Sequence, residues 1–305
     1  MNMLNHLANF VEHSRRGGVE GGVFWIRKQW HRLFTPDITG VNIFNRDWDL
    51  LIILDGCQPS WFDMISTDFD WVPNSLPPTV LSVGSNSGEW YKNTFEKVDG
   101  EILDSTALIT GNPYAEKHVP KKSICLFEDF FRKGWHDDLD LIPAHILTDA
   151  AVETGRTSEF DRYIVHYMQP HTPFFETGDE RRRDITRLGE MDHCWNWWYA
   201  VMRGEVSSDG LEKLYCSNLE YVCSEVDKLL NNFDAEDVVI TSDHTNLVGT
   251  NGMYGHPGYV PLEKLRRVPW IKRTAEDHGT LNPDLKSIDT PTTDRVERLR
   301  ALGYR

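Results

Sequence analysis

Five short apolar runs constrain the fold of this chain more than any other feature. The runs are Leu50–Leu54, Thr79–Val83, Thr106–Thr110, Tyr163–Tyr167 and Val238–Thr241. They are mostly continuous rather than alternating, as parallel strands are when both faces of their sheet are covered. Stretches with helical spacing separate them, notably Leu211–Leu230. Strands interleaved with helices predict a three-layer α/β/α sandwich with a mostly parallel central sheet.

The length of the chain fits one large domain with an extension. Of its 305 residues 40% are hydrophobic, which is enough for a sizeable core. Residues 1–40 have a helical pattern broken by two glycine pairs, Gly17-Gly18 and Gly21-Gly22. We therefore expect an N-terminal helical extension over residues 1–40 and one catalytic domain over residues 41–305.

The charge and the cysteine pattern limit which partners and which cell compartment we expect for this chain. The formal charge of -15 comes from 47 acidic against 32 basic residues and would repel the phosphates of a nucleic acid. The five cysteines are scattered and form no zinc-knuckle or redox pair, which favours a reducing cytoplasm. The N-terminus lacks a signal-peptide pattern and any apolar stretch of membrane-spanning length, so the sequence supports neither secretion nor a membrane span.

The segment from Phe24 to Phe34 has two interpretations. It mixes aromatic with cationic residues, as helices that lie on an anionic membrane surface do. It is also compatible with a helix that packs its aromatic side chains on the domain, and we prefer this second interpretation. Peripheral contact with the inner face of a membrane through residues 1–40 stays open.

Polar residues follow four of the apolar runs, where an open α/β sheet places its ligands. They are Asp55, the pair Ser85 and Ser87, His171, and the pair Asp243-His244. A further histidine, His256, lies in a glycine- and proline-framed loop. An Asp-His pair with a carboxylate from another strand end can bind one divalent ion. A serine at a helix N-terminus can be activated beside it.

Five of these residues also have an ordinary structural interpretation. Asp243 could cap a helix with His244 as a loop residue, and Ser87 could be a plain N-cap. His171 and His256 could be solvent-exposed loop histidines. These alternatives stay open on local sequence alone.

Together, the motifs resemble the sulfatase-like branch of the alkaline phosphatase superfamily over residues 48–305. The segment 51–56 is similar to that family's first strand with its metal-binding Asp, and the segment 239–244 to its late strand with the metal-binding Asp-His pair. The segments 166–174, 267–271 and 298–305 resemble the Pro-His-x-Pro loop, the strand after the metal site and the closing segment.

One departure from the family concerns the nucleophile. Sulfatases convert Cys or Ser of a C/S-x-P-x-R motif to formylglycine, and here Cys57-Gln58-Pro59-Ser60-Trp61 has Trp61 where Arg should stand. The run also follows the first strand at once, whereas the resemblance places the nucleophile a few dozen residues later. We therefore interpret Cys57 as a decoy and expect an unmodified serine, Ser87 with Ser85 in reserve.

The resemblance implies a metal-dependent hydrolase or transferase acting on a sulfate or phosphate ester of a small molecule or glycan. Asp55, Asp243 and His244 would hold one divalent ion, manganese, zinc or calcium, while His171 and His256 position the substrate or protonate its leaving group. Two alternatives stay open. One is a degenerate sulfatase-like binding protein, and the other is a membrane-peripheral phosphotransferase that modifies glycans.

Overall fold

The computed structural model describes residues 3–65, 69–137, 139–174, 194–286, 288 and 291–302. The strands are β1 (Leu50–Asp55), β2 (Thr79–Leu81), β3 (Thr106–Thr110), β4 (Leu126–Asp129), β5 (Arg162–Pro170), β6 (Ala235–Thr241), β7 (Leu247–Val248), β8 (Tyr254–Gly255) and β9 (Arg267–Ala275). The helices are α1 (Met3–Phe34), α2 (Ser87–Phe95), α3 (Gly100–Leu103), α4 (Ala115–His118), α5 (Phe130–Lys133), α6 (Ala144–Thr157), α7 (Cys194–Met202), α8 (Ser208–Leu230), α9 (Glu263–Arg266) and α10 (Arg295–Ala301).

Seven strands form one sheet in the order β2-β9-β6-β1-β5-β3-β4. Neighbouring strands from β6 to β4 are parallel, and β9 is antiparallel to both β6 and β2. Strand β1 is central, and every residue of it is buried. Because the central strands run in the same direction, their carboxyl ends meet at one edge of the sheet, where the candidate site residues follow them.

Helices cover both faces of the sheet. Alternate residues of β1 point to opposite sides, so Leu50, Ile52 and Leu54 pack in a core that includes side chains of α6, α7 and α8. On the other face, Leu51 and Ile53 pack against side chains of α2, α3 and α4. The predicted three-layer α/β/α sandwich with a mostly parallel sheet is confirmed.

All five predicted strands are present, although β2 ends at Leu81 instead of Val83. The sequence pattern did not predict β4, because this short edge strand is only half-buried and its second half is acidic. Strand β9 was expected from the resemblance alone.

The N-terminal helix differs in detail from its prediction. A single break lies at Gly18, whose φ of 64° and ψ of -150° end one helical arm and begin the next. Gly21 and Gly22 were expected to break the helix but lie inside the second arm. None of the helices in the described ranges is long and apolar enough to cross a bilayer. The division into an extension and a catalytic domain stays a prediction.

Candidate active site

Two buried carboxylates meet at the carboxyl edge of the sheet. Asp55 is the last residue of β1, and Asp243 follows the neighbouring strand β6 after one residue. The strands pair in parallel with Ile53 opposite Thr241, so their ends lie side by side. One oxygen of each carboxylate and one nitrogen of His166 lie within 4.8 Å of one another, and all three side chains are buried.

Hydrogen bonds hold one oxygen of each carboxylate. Asp55 Oδ2 accepts from Asn112 Nδ2 at 2.7 Å, and Asp243 Oδ1 accepts from the backbone N–H groups of Gly56 at 3.1 Å and His244 at 3.0 Å. The other two oxygens, Asp55 Oδ1 and Asp243 Oδ2, have no hydrogen-bond partner among the described residues. Burying a charged oxygen without a hydrogen bond lowers the stability of the folded protein, and a cation bound between the two oxygens would offset this loss.

The turn after β1 depends on Gly56. Its φ of 68° is left-handed, and a Cβ atom there would lie 2.7 Å from Asn246 Nδ2. That amide nitrogen donates to the Gly56 carbonyl at 2.9 Å. The turn that follows Asp55 is thus tied to the loop that follows Asp243, which fixes the two carboxylates relative to each other.

Ser87 faces the carboxylates from the N-terminus of α2. Its Oγ lies 3.3 Å from Asp55 Oδ2 and 3.3 Å from His244 Nε2. The N-cap of this helix is Asn86, whose side chain accepts from the Glu89 N–H at 2.8 Å. The alternative in which Ser87 is a plain N-cap is therefore wrong.

Ser85, the reserve nucleophile, is bound elsewhere. Its Oγ donates to Glu89 Oε2 at 2.6 Å and lies 3.2 Å from the Pro257 carbonyl. A hydroxyl so engaged stabilises the turn before α2. The geometry favours Ser87 over Ser85 as the group that can reach a substrate at the carboxylates.

Three imidazoles at the site share one tautomer in their neutral form. Because a carbonyl oxygen only accepts, each ring must donate its Nδ1–H, which leaves Nε2 as the nitrogen that accepts or ligates. The pairs are His171 with the Thr172 carbonyl at 2.7 Å, His244 with the Thr245 carbonyl at 3.1 Å, and His256 with Asn246 Oδ1 at 2.7 Å. The ring centroid of His256 lies 4.7 Å from that of His244 and 5.1 Å from that of His171. The structure thus brings all the predicted histidines together, and none is the exposed loop residue that the alternative described.

The loop that carries His171 is held by a helix residue that the sequence analysis missed. Asn218 lies buried in α8, and its Nδ2 is 3.2 Å from the Pro170 carbonyl, 3.1 Å from that of His171 and 3.1 Å from that of Pro173. An isolated Asn within an apolar helical stripe was the available signal. The contact fixes the backbone on both sides of His171.

His166 is a second residue that the sequence analysis missed. It lies inside β5, fully buried, with Nδ1 2.7 Å from the Tyr91 hydroxyl. Its Nε2 has no hydrogen-bond partner among the described residues and lies 3.7 Å from Asp55 Oδ2 and 4.0 Å from Asp243 Oδ2. The signal was a histidine inside the apolar run Tyr163–Tyr167. His166 is therefore an additional candidate ligand.

Local electrostatics set the charge of two site residues. Burial raises the pKa of the Asp55 carboxyl, but the imidazoles of His166, His171 and His244 together lower it more, so the pKa lies well below its usual range. Burial lowers the pKa of the His256 imidazole well below its usual value, and the neighbouring His244 and His171 lower it further. Near neutral pH the site therefore holds an ionised Asp55 and a neutral His256.

The donor set fits a divalent metal ion. Asp55 Oδ1 and Asp243 Oδ2, the two oxygens without a hydrogen-bond partner among the described residues, lie 3.6 Å and 3.4 Å from Nε2 of His244. Ser87 Oγ adds a hydroxyl oxygen at the same point. Mixed imidazole and carboxylate donors are typical of zinc and manganese sites, whereas calcium prefers oxygen ligands alone.

Cys57, by contrast, belongs to the core. Its side chain is fully buried, and this burial raises the pKa of the thiol well above its usual value. Trp61, at the position where the formylglycine motif has Arg, is also fully buried and stacks on Tyr215 with ring centroids 4.7 Å apart. These positions support the interpretation of the motif as a decoy.

We expect Cys57→Ala to keep turnover within about twofold of the wild type and to lower the free energy of unfolding by roughly 1–2 kcal/mol, because it removes one buried sulfur atom. Steady-state kinetics and urea unfolding measure the two effects. Loss of all turnover in a folded, metal-replete variant would show that Cys57 takes part in the chemistry.

A buried ion pair fixes the start of α2. Arg266 Nη2 lies 2.6 Å from Glu89 Oε1, and both side chains are 5% exposed. The other oxygen of Glu89 accepts from the N–H groups of Ser85 and Tyr259, each at 3.0 Å. The pair therefore links α2, the turn before it and the loop that follows His256.

Arg266→Ala is expected to lower the free energy of unfolding by roughly 3–5 kcal/mol, because it leaves the Glu89 carboxylate buried without its cation. Arg267→Ala is the matched control, since Arg267 pairs with Glu263 at the surface and the loss should be about 0–1 kcal/mol. Equal losses in urea unfolding would contradict this assignment.

Comparison with known proteins supports the fold. No family model and no curated protein matches the sequence. Among solved structures, the soluble domain of lipooligosaccharide phosphoethanolamine transferase A from Neisseria meningitidis has a TM-score of 0.50 and 14% identity, over 76% of this chain and 78% of that one. The integral membrane form of that transferase has a TM-score of 0.51 and 14% identity, over 92% of this chain and 61% of that one. The chain therefore shares the fold of these phosphoethanolamine transferase domains.

Proposed function

We propose that this chain is a metal-dependent hydrolase or transferase of phosphate esters with Ser87 as its nucleophile. One observation carries the proposal. The Ser87 hydroxyl lies 3.3 Å from both Asp55 and His244, at the point where two buried carboxylate oxygens lack any described partner. A nucleophile, two anions and an imidazole converging at a sheet edge form a site for an electrophilic ester.

Asp55, Asp243 and His244 would hold the metal ion, with His166 as an additional candidate ligand. When bound, the ion would supply positive charge that lowers the pKa of a nearby hydroxyl and stabilises negative charge on the ester oxygens. Ser87 would release its proton to solvent and form a bond to phosphorus while the bond to the leaving oxygen breaks, giving a seryl phosphate ester. Water or an acceptor hydroxyl would then take the phosphoryl group and restore the Ser87 hydroxyl. Its position at the first turn of α2 places backbone N–H groups and the helix dipole beside the phosphate.

The histidines beside Ser87 would bind and orient the ester. In neutral His256 the proton is on Nδ1, so Nε2 accepts hydrogen bonds and does not donate them. His171 has the same arrangement when neutral and, once protonated, could donate to the leaving oxygen. We assign His256 to positioning a substrate hydroxyl, which can donate to its Nε2, and His171 to the proton transfer.

A phosphate ester is favoured over a sulfate ester. The buried Cys57 offers no formylglycine, whereas an unmodified serine hydroxyl suits phosphoryl transfer. A small-molecule or glycan ester fits a chain whose charge of -15 disfavours nucleic acid. The absence of disulfides at Cys57, Cys125, Cys216 and Cys223 supports the cytoplasmic location that we propose.

The test is turnover of an aryl phosphate, a phosphodiester and an aryl sulfate, each with added manganese, zinc or calcium. We expect metal-dependent turnover of a phosphate substrate, with calcium the weakest activator. Metal binding without turnover of any ester would support the degenerate binding protein instead. Faster turnover of the sulfate than of both phosphates would contradict the choice of ester.

A further inference from the structure

The N-terminal residues 3–34 form a helical hairpin. The break at Gly18 turns the second arm back along the first, so that the rings of His6 and Phe10 contact Trp25 at 5.7 Å and 5.9 Å between centroids. His13 and Phe24 make a similar contact at 5.5 Å. The two arms therefore pack against each other as an antiparallel pair.

One side of this hairpin packs on the rest of the chain. Phe24 is fully buried and contacts Tyr254, with ring centroids 6.3 Å apart. His13 Nδ1 lies 2.8 Å from the hydroxyl of Tyr199, and the guanidinium of Arg16 stacks 4.9 Å from the centre of the same ring. These contacts fix the hairpin in place and confirm part of the packing interpretation of its aromatic residues.

The hairpin also exposes two apolar stripes. The first arm exposes Leu4, Leu7 and Val11, and the second exposes Ile26, Trp30, Leu33 and Phe34, each between 55% and 74%. The spacings of three and four residues place each stripe on one face of its arm. Val19, beside the break at Gly18, is exposed as well. Within the described ranges, eight of the twelve exposed large apolar side chains therefore lie in the hairpin. Such a concentration on a small element indicates a binding surface.

The charge of the hairpin is opposite to that of the whole chain. Residues 3–34 contain five cations and two carboxylates, a net charge of +3, whereas the whole chain carries -15. The cations are Arg15, Arg16, Arg27, Lys28 and Arg32. Arg15, Arg27 and Arg32 are exposed. A positive, apolar element on a negative chain favours an anionic and apolar partner.

We propose that the exposed side of the hairpin binds the surface of an anionic lipid membrane. The apolar stripes would enter the boundary between headgroups and acyl chains, and the exposed cations would contact anionic headgroups. Trp30 and Phe34, whose ring centroids are 4.5 Å apart, form an aromatic pair suited to that boundary. A second copy fits less well, because symmetric pairing of the hairpins would bring two charges of +3 together.

The test uses the full chain and flotation with vesicles of phosphatidylcholine alone or mixed with phosphatidylglycerol. We expect about tenfold more bound protein on the anionic vesicles, and a loss of this difference near 1 M salt, which screens the charges. Leu33→Asp should lower binding about tenfold, because it places a charge in the apolar stripe. Leu76→Asp is the matched control, since Leu76 is 57% exposed outside the hairpin and the change in charge is the same.

Turnover of a soluble ester separates this proposal from the proposed function, because Leu33→Asp should leave it unchanged. No preference for anionic vesicles would overturn the membrane proposal, and so would equal losses from Leu33→Asp and Leu76→Asp. A dimer in light scattering that Leu33→Asp dissociates, without vesicle binding, would also overturn it and assign the surface to a second copy.

Discussion

Ser87→Ala is expected to lower turnover of a phosphate ester by roughly 10⁴-fold or more, the size of effect seen when a covalent nucleophile is removed. The Ser87 hydroxyl lies at the meeting point of Asp55 and His244 and contributes little to the helix cap, which Asn86 provides. Metal content and melting temperature should therefore stay close to those of the wild type. Steady-state kinetics, metal analysis and thermal unfolding measure the three quantities.

Two further variants make this prediction specific. Ser87→Thr keeps a hydroxyl at the same position and should retain part of the activity. Ser85→Ala removes a hydrogen bond to Glu89 and should act through stability more than through chemistry. Near-normal turnover in Ser87→Ala together with inactive, folded Ser85→Ala would move the nucleophile to Ser85. If both variants stay active, the serine mechanism fails.

Asp243→Asn is expected to abolish tight metal binding and to lower turnover by about 10³-fold, which corresponds to the several kcal/mol that a metal ion supplies. The substitution is nearly isosteric. An amide oxygen can still accept from the N–H groups of Gly56 and His244, so the loop should keep its conformation. The orphaned Oδ2 becomes an NH₂ group, which cannot ligate a cation.

Asp237→Asn is the matched control, because Asp237 is exposed on β6, the strand that precedes Asp243. It should leave metal affinity and turnover unchanged. In the metal-free state Asp243→Asn should unfold at or above the temperature of the wild type, since it removes one of two adjacent buried charges. Titration calorimetry and thermal unfolding test both statements. Unchanged metal affinity in Asp243→Asn would exclude Asp243 from the ligand set.

The sequence predicts the central sheet well for a physical reason. Strands such as β1 are covered on both faces, so burial favours apolar residues at successive positions and leaves a continuous apolar run, here Leu50–Leu54. Edge strand β4 is only half-buried, so its residues need not all be apolar. Its second half is acidic and interrupts the apolar pattern by which a strand is recognised. The helix break shows a similar limit, since the sequence offers two glycine pairs and only the tertiary contacts of the arms select Gly18.

The candidate site was predictable where a residue follows its strand. Asp55 is the last residue of its strand, His171, Asp243 and His244 lie just beyond theirs, and parallel pairing brings such positions together. His166 was not predictable by this rule, because it lies within β5 and reaches the carboxylates only through the register of β5 with β1.

Partners of the site residues were harder still to predict. Asn112 follows β3 and fits the rule, but Asn218 contacts the His171 loop from a helix 47 residues away in sequence. Such a contact arises from the packing of α8 against β5. Local sequence does not encode it.

Peptide mass spectrometry after acid quench of the metal-loaded protein with an aryl phosphate tests directly whether Ser87 is the nucleophile. We expect a phosphate adduct on Ser87 that requires the metal ion and disappears in Ser87→Ala. Fragmentation of the peptide separates Ser87 from Ser85. An adduct on Cys57, or steady turnover with no adduct on Ser85 or Ser87 under rapid quench, would contradict the serine mechanism.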